Sequence, residues 1–356
     1  MILLTLPITN NMTKKIKLLF AICIFVCTSK SFSQSFSNAS EYLDFVAAEQ
    51  EEIQKRMWNY TKALAHSKSD RNINNKRKSL IKTTEEAIAK IEKADGYDGD
   101  DYKNKVLKHM RLNESLLKND YAEIVDMKEV AEQSYDLMEA YILAQELADE
   151  KMKESQLEYE TNFYAFAAKN NINIIESESD LGKKMEISNE VFQHYNKMYL
   201  IYFKVYINEV YLMDALNNQD VSAIQQNANA LSQSAKEGLE ILKTVETYKN
   251  DNSIVESTKS AFEFFIDEAD NQVPKLVDFL ILNGDFETIK TTLEKTPERK
   301  RTKEQVDTYN KKVKELNKGV KTYNNTNQEL NKNRQIAINN LNTTNENFLA
   351  RHIPKD

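Results

Sequence analysis

Proline and glycine are nearly missing from this chain, and cysteine is confined to its first 27 residues. Only four prolines and six glycines occur in 356 residues. Both residue types interrupt helices, so their scarcity predicts few turns and long elements. The two cysteines, Cys23 and Cys27, sit in a short apolar stretch near the N-terminus. If that stretch is removed, disulfides, thiolate catalysis and thiolate metal sites are excluded together. No apolar run reaches the roughly 20 residues needed to span a bilayer as a helix. No strongly basic tract stands out against the acidic balance, which is −7 overall. A nucleic-acid partner therefore has little electrostatic motive.

What is present begins with an export signal. Met12-Thr13-Lys14-Lys15-Ile16-Lys17 is a short basic run, Leu18 to Cys27 is apolar, and Ser31-Phe32-Ser33 offers small residues ahead of a cut before Gln34. This pattern predicts a secretory signal peptide over residues 1–33, with translation starting at Met12 if the eleven residues before it are an upstream extension. An uncleaved anchor is the rival reading. Lipidation of Cys27 is a third, although Ile24-Phe25-Val26 are bulky where a lipoprotein signal takes small residues. Removing Lys14, Lys15, Lys17 and Lys30 from 48 basic residues leaves 44 against 55 acidic ones. The expected location is the periplasm or cell surface of a Gram-negative bacterium.

Residues 34–356 read as a single elongated all-α bundle of seven or eight mostly long helices, with room for two lobes. Lys, Glu, Leu, Ala and Gln are good helix formers and plentiful, and strand alternation is nowhere sustained. The spacing predicts helices from Ser40 to Leu64, through Leu80 to Ile91, and from Asp100 to Leu117. Longer ones follow from Asp126 to Asn170, Ser179 to Leu216 and Asp220 to Tyr248. Ser253 to Leu282 is next, with Pro274 as a kink and Asn283-Gly284 as a stop; a short helix covers Asp285 to Leu293. Asn171-Ile172-Asn173-Ile174-Ile175 reads as a linker that drops apolar residues onto the bundle. Asn162 to Ala168 is expected to pack on the tyrosine-rich helix that follows.

The last helix, from Thr302 to near Phe348, carries a strict seven-residue period. Val306, Val313 and Val320 hold one register, and Tyr309, Leu316, Tyr323 and Leu330 a second. Asn310, Asn317, Asn324 and Asn331 hold a third. Such a period wraps a helix left-handed against a neighbour, and about 47 residues make a rod of roughly 70 Å. Two roles are open to the asparagines: to set alignment by hydrogen bonding across the seam, or to rim it in water. The other long helices favour a partner within the chain, and hence a monomer.

Chemistry-bearing residues are sparse. His66, His109, His194 and His352 are the only histidines, and none sits in His-Glu-x-x-His or a repeated Glu-x-x-His. His66 is placed to cap carbonyls at a helix end, and His109 to be solvated. No phosphate-cradling glycine loop or nucleophile elbow occurs. No cofactor and no metal is expected, and no enzymatic activity. The helix bearing Tyr195, Tyr199, Tyr202, Phe203, Tyr206 and Tyr211 is the richest in aromatics and reads as the central helix. Lys197, Lys204, Asn208 and Glu209 are candidate partners for its hydroxyls. The alternative is a small-molecule or metal pocket at His194, Tyr202, Tyr206 and Glu209, with Glu209 facing a cavity or a pairing base. Arg299-Lys300-Arg301 is the one compact basic loop, either solvated or a docking patch for an acidic surface.

Several segments resemble an uncharacterised surface-protein family of spirochaetes and flavobacteria. They are Trp58-Asn59-Tyr60-Thr61 with Ala65-His66-Ser67-Lys68-Ser69, Ile124-Val125-Asp126-Met127 leading to Ala131 through Tyr141, Val205-Tyr206 to Tyr211, and Arg301-Thr302-Lys303 through Asn310. The resemblance spans about residues 38–354. It implies an exported, envelope-associated helical protein with no catalytic residues to carry over. The leading expectation is a non-enzymatic binding or structural module with an unknown partner. If the export reading holds, the protein recovered from the envelope or medium starts at Gln34, which intact-mass measurement and N-terminal sequencing decide; a species retaining Lys14 would overturn it.

Overall fold

The computed structural model describes residues 35–174 and 179–355. The export segment and Ile175 lie outside these residues. Among the described residues the fold is all-α, with no strand. The helices are α1 (Ala39–His66), α2 (Asp70–Lys93), α3 (Asp101–Ser115), α4 (Tyr121–Ala131), α5 (Tyr135–Lys169), α6 (Asp180–Asn217), α7 (Val221–Leu242), α8 (Ser253–Asp267), α9 (Val273–Lys295) and α10 (Lys303–His352). A π turn at Leu116–Asp120 joins α3 to α4, and another at Glu268–Gln272 joins α8 to α9. The ten segments therefore make eight continuous rods.

Side-chain caps explain where most rods begin. Asn38, Ser69, Ser134, Ser179 and Asp220 each accept a hydrogen bond from the backbone N–H three residues on. Thr302 and Gln305 form a reciprocal capping box at the start of α10. At the other end of α5, Asn171 turns left-handed (φ 57°), and the Ile172 N–H reaches back to the Ala167 carbonyl at 2.9 Å. Gln219 does the same after α6.

Four expected boundaries are corrected. The third helix does not stop at Leu117 but continues to Ala131. The break then falls at 132–134, so the long α5 starts at Tyr135 instead of Asp126. α7 ends at Leu242, not Tyr248: the Thr244 and Val245 N–H groups bond back three residues to Ile241 and Leu242, and the chain then runs to a tight turn between Tyr248 and Asp251 in which Lys249 and Asn250 both adopt positive φ. Asn283-Gly284 does not end α9. Leu282 and Phe286 hold that stretch against Gly319 and Tyr309 of α10, which outweighs the ~1 kcal/mol that glycine costs a helix interior. Pro274 lies at the second position of α9, where its missing N–H is tolerated directly after the π turn.

The apolar side chains gather in three clusters. The N-terminal one joins α1, α2, α3 and the second half of α5. Tyr102 stacks on Phe166 at 4.4 Å and Tyr42 meets both edge-on. Phe163 and Phe166 are thus committed here and not to the tyrosine-rich α6. Ile172 and Ile174 drop onto the same cluster. The C-terminal cluster joins α6 to α10 around Phe262, Phe265 and Phe348, each fully buried. Burial of such a ring contributes about 2–3 kcal/mol. A Cβ at Gly238 would lie 2.5 Å from the Phe262 ring, so only glycine admits this packing. A smaller cluster sets Met138 and Ile142 of α5 against Phe203 and Ile207 of α6. Helix α1 serves two of these cores. Tyr60 faces the N-terminal cluster and Trp58, two positions away and so on the opposite side, faces the C-terminal one.

His109 is buried, contrary to the solvated position expected for it. Its Nδ1 lies 2.8 Å from Ser155 Oγ, its Nε2 faces the amide nitrogens of Gln50 and Asn113, and its ring stacks on Tyr159 at 4.8 Å. With both amides donating, Nε2 accepts and the ring stays neutral. Burial pulls its pKa down to about 4, against weaker upward pulls from Ser155 and Glu158. The unfolded chain binds a proton near pH 6.5 that the folded chain refuses until about pH 4. Stability from this group is therefore present above pH 6.5 and lost as pH falls toward 4, by roughly 3 kcal/mol. Denaturant titrations at pH 7 and 4.5 should show a smaller acid loss for His109→Gln than for the unsubstituted protein; equal losses would contradict the assignment.

Candidate functional site

Helix α6 carries a ladder of aromatic rings along one side. Tyr195 stacks on Tyr199 at 6.1 Å, Tyr199 on Phe203 at 5.9 Å, and Tyr202 on Tyr206 at 5.3 Å. Burial raises the Tyr202 and Tyr206 phenols, and the nearby Glu209 charge adds to it. Tyr202 and Tyr206 therefore stand together, with Glu209 one turn on. His194 does not join them. Fifteen residues separate it from Glu209, about 22 Å of helix. Its ring instead packs between Tyr248 and Phe348, at 5.9 and 5.7 Å. Burial, Lys197 and His352 lower its pKa. A single pocket holding all four residues is ruled out by the length of one straight helix.

Glu209 faces a base, and the base comes from α10. Arg334 Nε lies 2.6 Å from Glu209 Oε1, while its NH2 donates to Glu268 Oε1 and its NH1 to Asn331 Oδ1 at 2.6 Å. Glu268 is fully buried, and Glu209 and Arg334 are 3% and 8% exposed. Two acids thus share one guanidinium inside the C-terminal core. Burial pushes Glu268 up to about 7 despite Arg334, with Glu209 adding to the rise. Burial also raises Glu209, opposed by Arg334. Glu268 opens the π turn between α8 and α9, so that turn aims it at α10. The sequence carried a signal for this triad that went unread. Arg334 continues the apolar spacing of Leu330, Leu341 and Phe348, and Glu268 follows Ala261 and Phe265 on the buried side of α8.

The other expected hydroxyl partners have different roles. Lys204 sits over the Tyr135 ring at 5.6 Å, and Asn208 donates to Ser234. Among the described residues the two buried nitrogens of His66 have no hydrogen-bond partner, and the carbonyl of Ala63 is capped by the Ser67 N–H instead. His352 Nε2 lies 2.7 Å from Asp251 Oδ2, which Arg351 also meets. Burial pushes Asp251 up, but hydrogen bonds from Ser253, His352 and Arg351 prevail and hold it well below the usual carboxylate range. This knot fastens the end of α10 to the turn after α7.

Two surface clefts stand out among the described residues. One of about 140 Å³ is bounded by Tyr135, Leu200, Lys204, Ser234, Gly238 and Ile241. The other, about 300 Å³, lies at the α6–α7 corner beside Tyr211, Asp214, Asn218 and Asp220. None of His194, Tyr202, Tyr206 or Glu209 lines either. Among the described residues no group of three or more His, Cys, Asp or Glu is placed to hold a metal ion. No helix among them is long and apolar enough to cross a membrane.

The end of α9 and the first half of α10 form an exposed hairpin. Between residues 278 and 329 only Phe286 is buried. The two helices cover each other and little else: Phe279 packs on Tyr323 at 4.6 Å and Phe286 on Tyr309 at 5.5 Å, while Gly319 lets Phe279 and Leu282 approach closely. The heptad partner of α10 in this arm is therefore α9. Asn310, Asn317, Asn324 and Asn331 are all exposed at its rim. Only Asn331 bonds toward the core, as a support for Arg334. At the tip, Arg299 and Lys300 are exposed in a 3₁₀ turn. Arg301 donates to the Leu293 and Thr296 carbonyls and so caps α9. The three residues expected as one basic patch thus divide, among the described residues, into two exposed cations with no carboxylate in ion-pairing distance and one cap.

No protein-family model, curated protein or solved structure matches this chain.

The triad predicts a pH dependence opposite to that of His109. Glu268 takes up its proton near pH 7 when folded and near 4.5 when unfolded, so stability falls as pH rises between those values. Glu268→Gln should remove that loss, changing its stability relative to the unsubstituted protein by roughly 2–3 kcal/mol between pH 5 and 8 in denaturant titrations. Arg334→Met, which strands two acids, should cost about 3–5 kcal/mol at pH 8. A pH-independent difference for Glu268→Gln would remove the assignment.

Proposed function

We propose that the protein is an exported, non-enzymatic helical module of the cell envelope that acts by binding a partner, with the α9–α10 arm as its contact element. The observation that carries this reading is the arm's combination of exposure and charge. From Glu298 to Lys321 nine basic residues stand against four acidic ones, in a chain whose overall balance is −7. A local reversal of sign on a projecting hairpin favours encounter with an acidic surface and orients it. The basic-then-apolar N-terminal sequence and the resemblance to envelope surface proteins support a location in the periplasm or on the cell surface. The chain's acidity elsewhere argues against nucleic acid as the partner.

A photo-crosslinking residue placed at Asn317, on the arm, should give a discrete adduct in intact cells that make the protein. The same residue at Asn75, exposed on α2, should give none. Adducts from Asn75 without adducts from Asn317 would place the contact element elsewhere.

A further inference from the structure

Two parallel rows and a band of lysines run along the uncovered side of α10 in the arm. Nearest the α9 seam are Val306, Val313 and Val320; Val306 and Val320 are each 38% exposed and Val313 is half-buried. Next come Asn310, Asn317 and Asn324, all exposed. Farthest out are Lys314, Lys318 and Lys321, also exposed. At 100° per residue the valine and asparagine rows follow the same left-handed drift as the seam, and the lysines lie about a quarter-turn beyond them. Lys311 and Lys312 are engaged by Glu315, and Lys312 also by Asp285. Among the described residues Lys314, Lys318 and Lys321 have no carboxylate in ion-pairing distance.

We infer that this face receives an amphipathic, acidic helix of a partner protein as the third strand of a coiled coil, seated on Val306, Val313 and Val320 and flanked by Lys314, Lys318 and Lys321. The inference rests on the arm being the contact element and names its partner's chemistry. Each feature of the face has a use in that complex. The valines recur every seven residues, about 10.5 Å, which a second helix matches with its own heptads and an extended strand does not. The asparagines offer donors and acceptors at the edge of the new seam. The unpaired lysines take acids at flanking positions, where charges choose partner and orientation. A bare polyanion would use the lysines and leave the valines unexplained. A second copy of the arm would bring lysine band against lysine band, a like-charge juxtaposition that opposes pairing.

The test uses the protein from Gln34 to its C-terminus and a fluorescein-labelled peptide of about four heptads, with Leu at the two seam positions and Glu at the flanking ones. Fluorescence anisotropy should show saturable binding that weakens with salt. Val313→Asn with Val320→Asn, and separately Lys314→Glu with Lys318→Glu and Lys321→Glu, should each weaken it about tenfold or more. The three lysines changed to arginine should bind as well as the original. All these positions are exposed or half-exposed, and unchanged melting temperatures will show that the variants fold. Absence of saturable binding overturns the inference. So does a valine variant that binds normally while phosphatidylglycerol vesicles retain the protein through the lysines, which marks an anionic surface as the ligand. Self-association in sedimentation equilibrium that the valine variant abolishes and the peptide fails to displace marks a second copy instead. Crosslinks from Asn317 that persist while the peptide fails to bind would leave the arm as contact element and remove only the helical partner.

Discussion

A helix of 50 residues has to find apolar cover along about 75 Å, and the arrangement of this molecule follows from how α10 meets that demand. Its second half lies in the C-terminal core, where Leu341 and Phe348 are buried and α10 meets α1, α6 and α8. Its first half has α9 alone. A two-helix contact buries one stripe of each partner and leaves the flanks in water, which is why Tyr309, Leu316 and Tyr323 are half-buried while Val306 and Val320 remain exposed. The arm is the part of α10 that the bundle is too short to cover.

The boundary between the two halves is occupied by charge. Arg334 sits where the arm enters the core and holds Glu209 of α6 and Glu268 of the α8–α9 junction. A buried triad of this kind is weak as a source of stability, since desolvation of three ions offsets much of their attraction. It does restrict geometry, because a shift of α10 by one residue would carry the guanidinium off both acids. The triad's extra negative charge also gives the core a titration that runs against that of His109. Across roughly pH 4.5 to 6.5 the buried imidazole makes stability rise with pH and the buried carboxyl makes it fall. The two slopes offset, so the whole chain is less sensitive to mild acid than either of its cores.

Much of this was readable from residue order. The scarcity of proline and glycine, the helix starts at Ser179 and Thr302 and the period of the last helix are local or periodic signals, and they survive into the structure. The placement of Tyr202 in the core of α6 is equally legible, since aromatic residues at three- and four-residue spacing cover more than half its circumference. The π turns were not legible. An i to i+5 step has no composition of its own, and it keeps a rod continuous where local signals at Leu117 and Pro274 mark an end or a kink. The reach of α9 through Asn283-Gly284 depends on Gly319 and Tyr309, residues of another helix. His109 was misplaced for the same reason. Its own helix is polar, and its burial comes from Gln50 and Ser155 on α1 and α5. The candidate pocket failed on distance along one helix, a constraint that residue spacing already contained for His194 and Glu209.

Because α10 has no break between the tip turn and His352, the arm and the core are one stiff member. Arg334 lies about 46 Å from the tip, measured along that member, and Phe348 about 20 Å farther. A sideways load on the tip turns α10 about the place where the bundle first grips it, and that place is the ion triad. The short side of the lever ends beside the buried Phe348, in the knot of Asp251, Arg351 and His352 that ties α10 to the turn after α7. Whatever pulls on the arm is felt first by groups that titrate.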